Sequence, residues 1–269
     1  MARGYEEIHS GILTDSPVCN KDSMRVVLAI ISSMNWEINS FDIKAAFLQG
    51  KDLDREVYLK PPKKANAKGK LWKLNRCVYG LNDASRYWYM RVREELIKFN
   101  CYPCKVDPTV FYFYNPLEGI KISHVDDFLW AGTEQFKSNV IQKMKTTFSI
   151  SEENSTAFKY VGIEIFQDSA GIYINQRKYT NELKEINIEV SKRDQPDLSL
   201  NENEKKELRS VIGKLNWLAT QTRPDLSYNV SILASCVKSA SIKHLHKANK
   251  LIKQCTLNNV AIYYEYRDA

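Results

Sequence analysis

Apolar positions along the chain alternate between helical and strand-like spacing, and that alternation fixes most of the predicted elements. The stretch to about residue 23 has weak periodicity and reads as irregular. Over 23–34, Val27, Ile30, Ile31 and Met34 recur at helical spacing, with Ser23 placed as the cap. Trp36 and Ile38, then Phe41 and Ile43, alternate with polar residues, which predicts a strand with one irregularity. Residues 51–76 are charged, carry Pro61-Pro62, and contain short strand-like pieces at 57–59 and 71–74. They read as a small excursion from a main sheet. Asp83 is placed to cap a helix to about residue 99 that buries Trp88, Val92, Leu96 and Phe99. The β-branched and aromatic run 110–114 predicts a strand, and Asn115-Pro116-Leu117-Glu118-Gly119 a turn.

Two short strands follow at 120–125 and 128–131, separated only by Asp126 and Asp127. A helix over 134–148, capped by Thr133, would turn Phe136, Val140, Met144 and Phe148 inward. Residues 158–166 and 172–175 read as a hairpin turned at 168–171. Beyond Tyr179 strand signals vanish, and helical patterns appear at 204–220, 224–237 and 242–255, with Pro224 in the first turn of the middle one. The pattern predicts an α+β core, a break near residue 178, and a helical module.

Composition adds bounds. At 269 residues, 43% hydrophobic and 26% charged, the chain suits one large domain or two small ones. No apolar run approaches the ~18 residues of a membrane span. The opening Met1-Ala2-Arg3-Gly4-Tyr5-Glu6-Glu7 is no signal peptide. The expectation is an intracellular protein, cytoplasmic or nuclear, with no membrane partner. Six scattered cysteines do not form a disulfide framework. Cys101 and Cys104 form a Cys-x-x-Cys pair, but only His244 and His246 could complete a zinc site, so idle thiols are expected. Lys and Arg exceed Asp and Glu by 39 to 32, a net +7 that permits a polyanion partner without demanding one.

Asp126-Asp127 at a hairpin tip has an ordinary explanation, since Asp side chains bond nearby turn amides. Asp42, near a strand end, has a similar one. Together they allow more. If the strand bearing Asp42 lies beside the 120–131 hairpin, three carboxylates converge and repel one another unless cations neutralise them. Mg²⁺ takes one or two protein carboxylates and fills its other positions with water and phosphate. Two such ions serve an in-line phosphoryl displacement, and Asp42 with Asp126 offers ligands from two strands. Phe47, five residues after Asp42, is either a core residue or a ring set against a nucleotide sugar.

These residues carry a family pattern. Phe41-Asp42-Ile43-Lys44-Ala45-Ala46-Phe47-Leu48-Gln49-Gly50 resembles the first catalytic motif of copia-type retrotransposon reverse transcriptases. Val78-Tyr79-Gly80-Leu81 with Ser85-Arg86-Tyr87-Trp88-Tyr89 resembles their next block. His124-Val125-Asp126-Asp127 is similar to their paired-aspartate motif, and Tyr160-Val161-Gly162-Ile163-Glu164-Ile165 to their primer-grip hairpin. Val211-Ile212-Gly213-Lys214-Leu215-Asn216-Trp217-Leu218-Ala219 with Thr222-Arg223-Pro224-Asp225 is similar to their thumb. The five blocks stand in the family's order.

The resemblance implies a right-hand polymerase with an antiparallel-sheet palm, small inserted fingers and a helical thumb. Its implied parts are partial fingers at 1–35, a palm at 36–177 with the fingers insertion at about 49–77, a thumb at 178–258, and the start of a connection at 259–269. It implies an RNA-directed DNA polymerase that uses an RNA or DNA template with a primer, dNTPs, and two Mg²⁺ or Mn²⁺ ions. Asp42, Asp126 and the backbone carbonyl of Ile43 would hold metal. Asp127 would be the third acidic member, and Phe47 the sugar gate. His124, Tyr160, Val161 and Gly162 would attend the primer. Lys60, Lys63 and Lys64, in a patch with Lys68 and Lys70, would follow template phosphate, and Lys214 and Arg223 the primer backbone. Departures from the pattern are His124 for the usual Tyr, Asp83 for the frequent Gln, and Ser85 for the frequent Pro. Both ends are expected to be truncated, which keeps a catalytically inactive nucleic-acid-binding remnant as the alternative. A metal-dependent phosphohydrolase is a third reading. Oligomeric state is not readable from the sequence.

Overall fold

The computed structural model describes residues 2–7, 11–65, 67, 69–114, 116–258 and 260–266, without the side chain of Lys63. Lys68 of the lysine patch lies outside the described residues. The chain divides into two compact units between Thr156 and Ala157.

In the first unit, α1 (Lys21–Ser33) buries Met24, Val27, Leu28 and Ile31 and leads into β1 (Asn39–Ile43). Its cap is Asn20, whose side chain accepts from the Asp22 N–H, rather than Ser23. The excursion forms the small ladder β2 (Tyr58–Leu59) with β3 (Trp72–Lys73). Its stem closes where Arg76 bonds Asp52 at 2.9 Å and the Leu53 N–H donates to the Asn75 carbonyl at 2.8 Å. Next comes α2 (Ala84–Lys98), buried through Trp88, Val92 and Leu96. Asp83 does not cap it; the buried Asp83 carboxylate accepts instead from the Arg55 guanidinium at 2.8 and 3.0 Å.

Four strands then run as successive antiparallel neighbours: β4 (Cys101–Pro103), β5 (Val110–Phe113), β6 (Gly119–His124) and β7 (Asp127–Gly132). The helix after them is α3 (Glu134–Phe136), a widened π turn (Lys137–Ile141) and α4 (Gln142–Thr147), capped by Thr133 as the sequence suggests. Strand β8 (Ile150–Ser155) completes a six-stranded sheet in the order β4-β5-β6-β7-β1-β8 among the described residues. One face of this sheet packs on α2 and the 134–147 helix through Phe41, Phe111, Phe128, Trp88, Phe136 and Met144. Gly119 and Gly132 pair across β6 and β7, and a Cβ at either would meet the Phe136 ring at 2.1 or 2.7 Å.

Three strands of the second unit, β9 (Ala157–Tyr160), β10 (Ile163–Gln167) and β11 (Gly171–Asn175), precede the short α5 (Arg177–Asn181). Then come α6 (Glu202–Gln221), α7 (Ser227–Ser235) and α8 (Ile242–Leu257), with Pro224 opening the 3-10 turn ahead of α7. The helices share a core of Leu208, Leu215, Leu226, Leu233, Leu245 and Ile252. Finally β12 (Ile262–Glu265) pairs with β11, its Tyr263 stacked on Tyr173 at 4.5 Å. The expected break at 178 therefore falls inside this unit, and the expected loss of strands after Tyr179 is corrected by β12. Strands β9 to β11 pair with one another and with β12 rather than with the first sheet. The single strand expected over 158–166 is likewise two, β9 and β10, turned at Val161-Gly162.

Lys121, on β6, is 1% exposed within the aromatic side of the first sheet. Its Nζ lies 3.9 Å from the Phe128 ring centroid and 5.1 Å from that of Phe111. Among the described residues no acceptor reaches it. Burial pushes this amine well below its ordinary value. An orphaned buried donor costs on the order of 1–3 kcal/mol, so Lys121→Met should raise thermal stability. The folded state binds fewer protons than the unfolded chain above the depressed value, so wild-type stability rises with pH toward the ordinary 10.5. The advantage of Lys121→Met should accordingly be largest near neutral pH and shrink in alkaline melts. An advantage that grows with pH would refute this account.

Candidate active site

Each aspartate owes its place to strand parity. In an antiparallel ladder, directly opposed residues point to the same face, and successive residues to opposite faces. Phe41 opposes Phe128, and Asp42 opposes Asp127. The Phe41 and Phe128 rings stack at 5.1 Å and 11° in the core, which turns Asp42 and Asp127 together toward the other face. Asp126 enters through the turn. His124 opposes Asp127, so only Val125 and Asp126 join the strands, and the Asp126 carbonyl accepts from the Ile43 N–H at 3.1 Å.

The backbone around the aspartates is strained. Val125 has φ +58° and Ala45 φ +50°. A β-branched residue in the left-handed region is a steric outlier that costs roughly 1–3 kcal/mol. Trp88 holds the strained tip in place. Its indole N–H donates to the Val125 carbonyl at 2.7 Å, while its ring packs edge-on against Phe128 and Phe148.

The three carboxylates have different surroundings. Asp42 Oδ2 accepts from the Ser151 hydroxyl on β8, which also donates to the Asp42 carbonyl at 3.2 Å. Asp126 Oδ2 accepts from the Tyr79 hydroxyl at 3.3 Å. Burial first, then Asp126 and Asp42, push Asp127 up to about 6. All three aspartates are half-buried, and Asp127 is the one that resists ionisation. Among the described residues no group of three His, Cys, Asp or Glu forms a ready-made metal cage. The donor set still fits Mg²⁺ or Mn²⁺, because an ion completed by water and phosphate needs only one or two carboxylates. Asp42 and Asp126 each keep an oxygen that those hydroxyls do not occupy.

Other expected site residues have definite positions. Phe47 sits half-buried in the 3-10 turn Ala46–Gln49, its ring 4.5 Å from that of Tyr79. His124 is half-buried, its Nδ1 has no partner among the described residues, and burial lowers its pKa against the pull of Asp126. In the second unit Tyr160 is 1% exposed, and Val161 and Gly162 form the two-residue turn at φ +46° and +79°. That turn suits the twist of a tight hairpin. A Cβ at Gly162 would lie 3.2 Å from the Trp217 ring. Lys60, Lys64 and Lys214 are exposed.

Arg223 is a correction. It is 3% exposed, bonds Asp225 at 2.8 and 2.9 Å, and donates to the carbonyls of Cys255 and Asn258 at the end of α8. Its guanidinium closes a helix end and is not presented to a phosphate. Histidines 244 and 246 are similarly engaged: His244 Nδ1 accepts from the Ser241 N–H, and His246 Nε2 lies 3.2 Å from the Arg193 carbonyl. Sequence reasoning missed Tyr79 and Ser151 as neighbours of the carboxylates. Neither stands beside an aspartate in the chain, and only strand pairing and the 78–81 turn bring them there.

Comparison with known proteins decides the family. Residues 1–192 match the family described as reverse transcriptase (RNA-dependent DNA polymerase). The chain belongs to the reverse transcriptase family. Relatives include the retrovirus-related Pol polyprotein from transposon RE1 of Arabidopsis thaliana, 28% identical over 94% of this chain and 18% of that protein. Another is the Pol polyprotein from transposon TNT 1-94 of Nicotiana tabacum, 27% identical over 91% of this chain and 20% of its own length. The resemblance to copia-type transposon polymerases is thus borne out. This reverse transcriptase chain spans about a fifth of the length of those relatives. A foamy viral protease-reverse transcriptase, solved with double-stranded DNA, aligns at TM-score 0.49 and 14% identity over 86% of this chain and 37% of that one. The α+β fold stands on this chain's own sheets and helices. No helix among its described residues is long and apolar enough to cross a membrane.

The raised Asp127 value makes a signed prediction. A carboxyl whose folded pKa exceeds its unfolded 3.8 contributes stability below that value and loses it as pH rises through about 6. Asp127→Asn mimics the neutral form. In metal-free melts the variant should match the wild type in acid and become the more stable of the two as pH passes through that window. A melting difference that does not change with pH would contradict the assignment.

Proposed function

We propose that this chain is the polymerase part of a transposon Pol polyprotein, an RNA-directed DNA polymerase that transfers a nucleotidyl group from dNTP to a primer 3′-hydroxyl. The observation that carries the proposal is the cross-strand pairing of Asp42 with Asp127, with Asp126 at the adjoining turn. It brings Asp42 to the adjacent pair Asp126-Asp127, far along the chain, at one place on the sheet. That arrangement suits a reaction in which polyphosphate charge must be bound and redistributed, and in which positioning and electrostatics supply most of the rate.

In this reading Asp42 and Asp126 hold divalent cation, joined by the Ile43 carbonyl. Mg²⁺ or Mn²⁺, when bound, supplies positive charge to the reacting phosphate oxygens. Asp127, less ready to ionise, supports the other two. Phe47 borders the sugar and disfavours a 2′-hydroxyl. The primer 3′-oxygen attacks the α-phosphate and pyrophosphate leaves. His124 and the Tyr160-Val161-Gly162 turn attend the primer. The six-stranded sheet is the palm, the 49–77 excursion a fingers element, and α6 to α8 the thumb. Exposed Lys60, Lys64 and Lys214 meet backbone phosphates, which makes binding fall with rising salt.

Primer extension on RNA and DNA templates tests the reading. Asp126→Asn should lower incorporation by on the order of 10²–10³-fold or more while leaving duplex binding intact. Wild-type protein that binds primer–template yet incorporates nothing would favour the non-catalytic alternative. Nucleotide hydrolysis without a primer would favour a phosphohydrolase.

Phe47→Ala should raise ribonucleotide use relative to deoxynucleotide by roughly 10- to 200-fold. Unchanged sugar selectivity would remove Phe47 from the gate.

A further inference from the structure

Tyr79 stands between two parts of the site that the sequence treats separately. Its hydroxyl donates to Asp126 Oδ2, and its ring packs against Phe47 with centroids 4.5 Å apart and planes tilted by 50°. Its own backbone is held, because the Tyr79 carbonyl accepts from the Ala2 N–H at 2.7 Å and the Leu81 N–H closes the turn onto Val78 at 3.2 Å. A phenol whose backbone is fixed can restrain both of the groups it touches.

We propose that Tyr79 is a positioning residue that orients the Asp126 carboxylate for divalent cation and backs the Phe47 ring, so that metal binding and sugar selection share one support. The inference rests on the polymerase reading and goes beyond it by linking the two functions to a residue outside the aspartate motifs.

The physical case has two parts. A carboxylate offers two oxygens, so a donor on Oδ2 leaves Oδ1 to a cation while limiting rotation of the group. Partners that orient a metal ligand matter nearly as much as the ligand. At 3.3 Å the bond is longer than the ~2.7–2.8 Å common between oxygens, as is usual for catalytic contacts before substrate arrives. As for the gate, Phe47 sits on a short 3-10 turn entered through the strained Ala45, and packing must fix its ring. Its neighbours include the small core of Val57, Cys77, Leu81 and Ala84, and Tyr79 is its aromatic partner.

Two variants separate the contributions. Tyr79→Phe keeps the ring and removes the hydroxyl; Tyr79→Leu removes both. Mn²⁺ binding to the whole chain, followed by electron paramagnetic resonance without nucleic acid, should weaken on the order of tenfold in both. The ribonucleotide-to-deoxynucleotide ratio of kcat/KM in primer extension should stay at the wild-type value in Tyr79→Phe and rise roughly tenfold in Tyr79→Leu. Wild-type Mn²⁺ affinity in Tyr79→Phe, with affinity lost in Asp126→Asn, overturns the metal half. Unaltered sugar selection in Tyr79→Leu overturns the gate half. Equal loss of selectivity in both variants also overturns it, because the ring would then be irrelevant. A wild-type chain that extends no primer fails the polymerase reading instead, and the Mn²⁺ titration then decides the Tyr79 assignment alone.

Discussion

One hydrogen bond, from the Trp88 indole to the Val125 carbonyl, holds the segment on which the site depends. The β6–β7 turn spans two residues and forces a β-branched side chain into the left-handed region. Such a turn relaxes unless its surroundings over-determine it. Trp88 does so from beneath, with its ring in the same aromatic cluster as Phe41, Phe128 and Phe148. The cluster that stabilises the sheet is therefore the one that sets the Asp126 backbone. Packing and chemistry meet across a single layer of residues.

The aspartates were legible in the sequence because strand alternation and turn chemistry are local signals. Phe41 and Ile43 frame Asp42, and the 120–131 pattern leaves only two residues between strands. What was not legible depended on partners far along the chain. β8 carries Ser-Glu-Glu-Asn at its centre and has no apolar alternation, as suits a strand at a sheet edge. Yet it brings Ser151 to Asp42. β4 is three residues long, too short to show a period. The 157–175 region looks like more of the first sheet, but its strands pair with one another and with β12, a four-residue strand after a long helix, to build a second one.

Charge was the least reliable guide. Arg223 sits in a motif read as facing nucleic acid, yet its guanidinium is spent on Asp225 and on two carbonyls at the end of a helix. Asp83 looks like a helix cap, yet it answers Arg55, which also bonds Glu7 at 2.6 Å. Lys121 lies within a strand among aromatic rings. In each case the sequence shows a charge but not what surrounds it, and a residue's role follows from those surroundings.

The Asp42–Asp127 register carries a constraint on how such a chain can vary in length. Parity along a strand has period two, so one residue inserted or deleted between Asp42 and the paired run behind it would exchange the faces of everything beyond. An acid would then face the stacked phenylalanines, and a ring would face solvent. Replacement of one side chain by another leaves that arithmetic untouched. These few residues should therefore accept changes of spelling far more readily than changes of count, whereas the excursion between Asp52 and Arg76, closed at its stem, has no such restriction on its span.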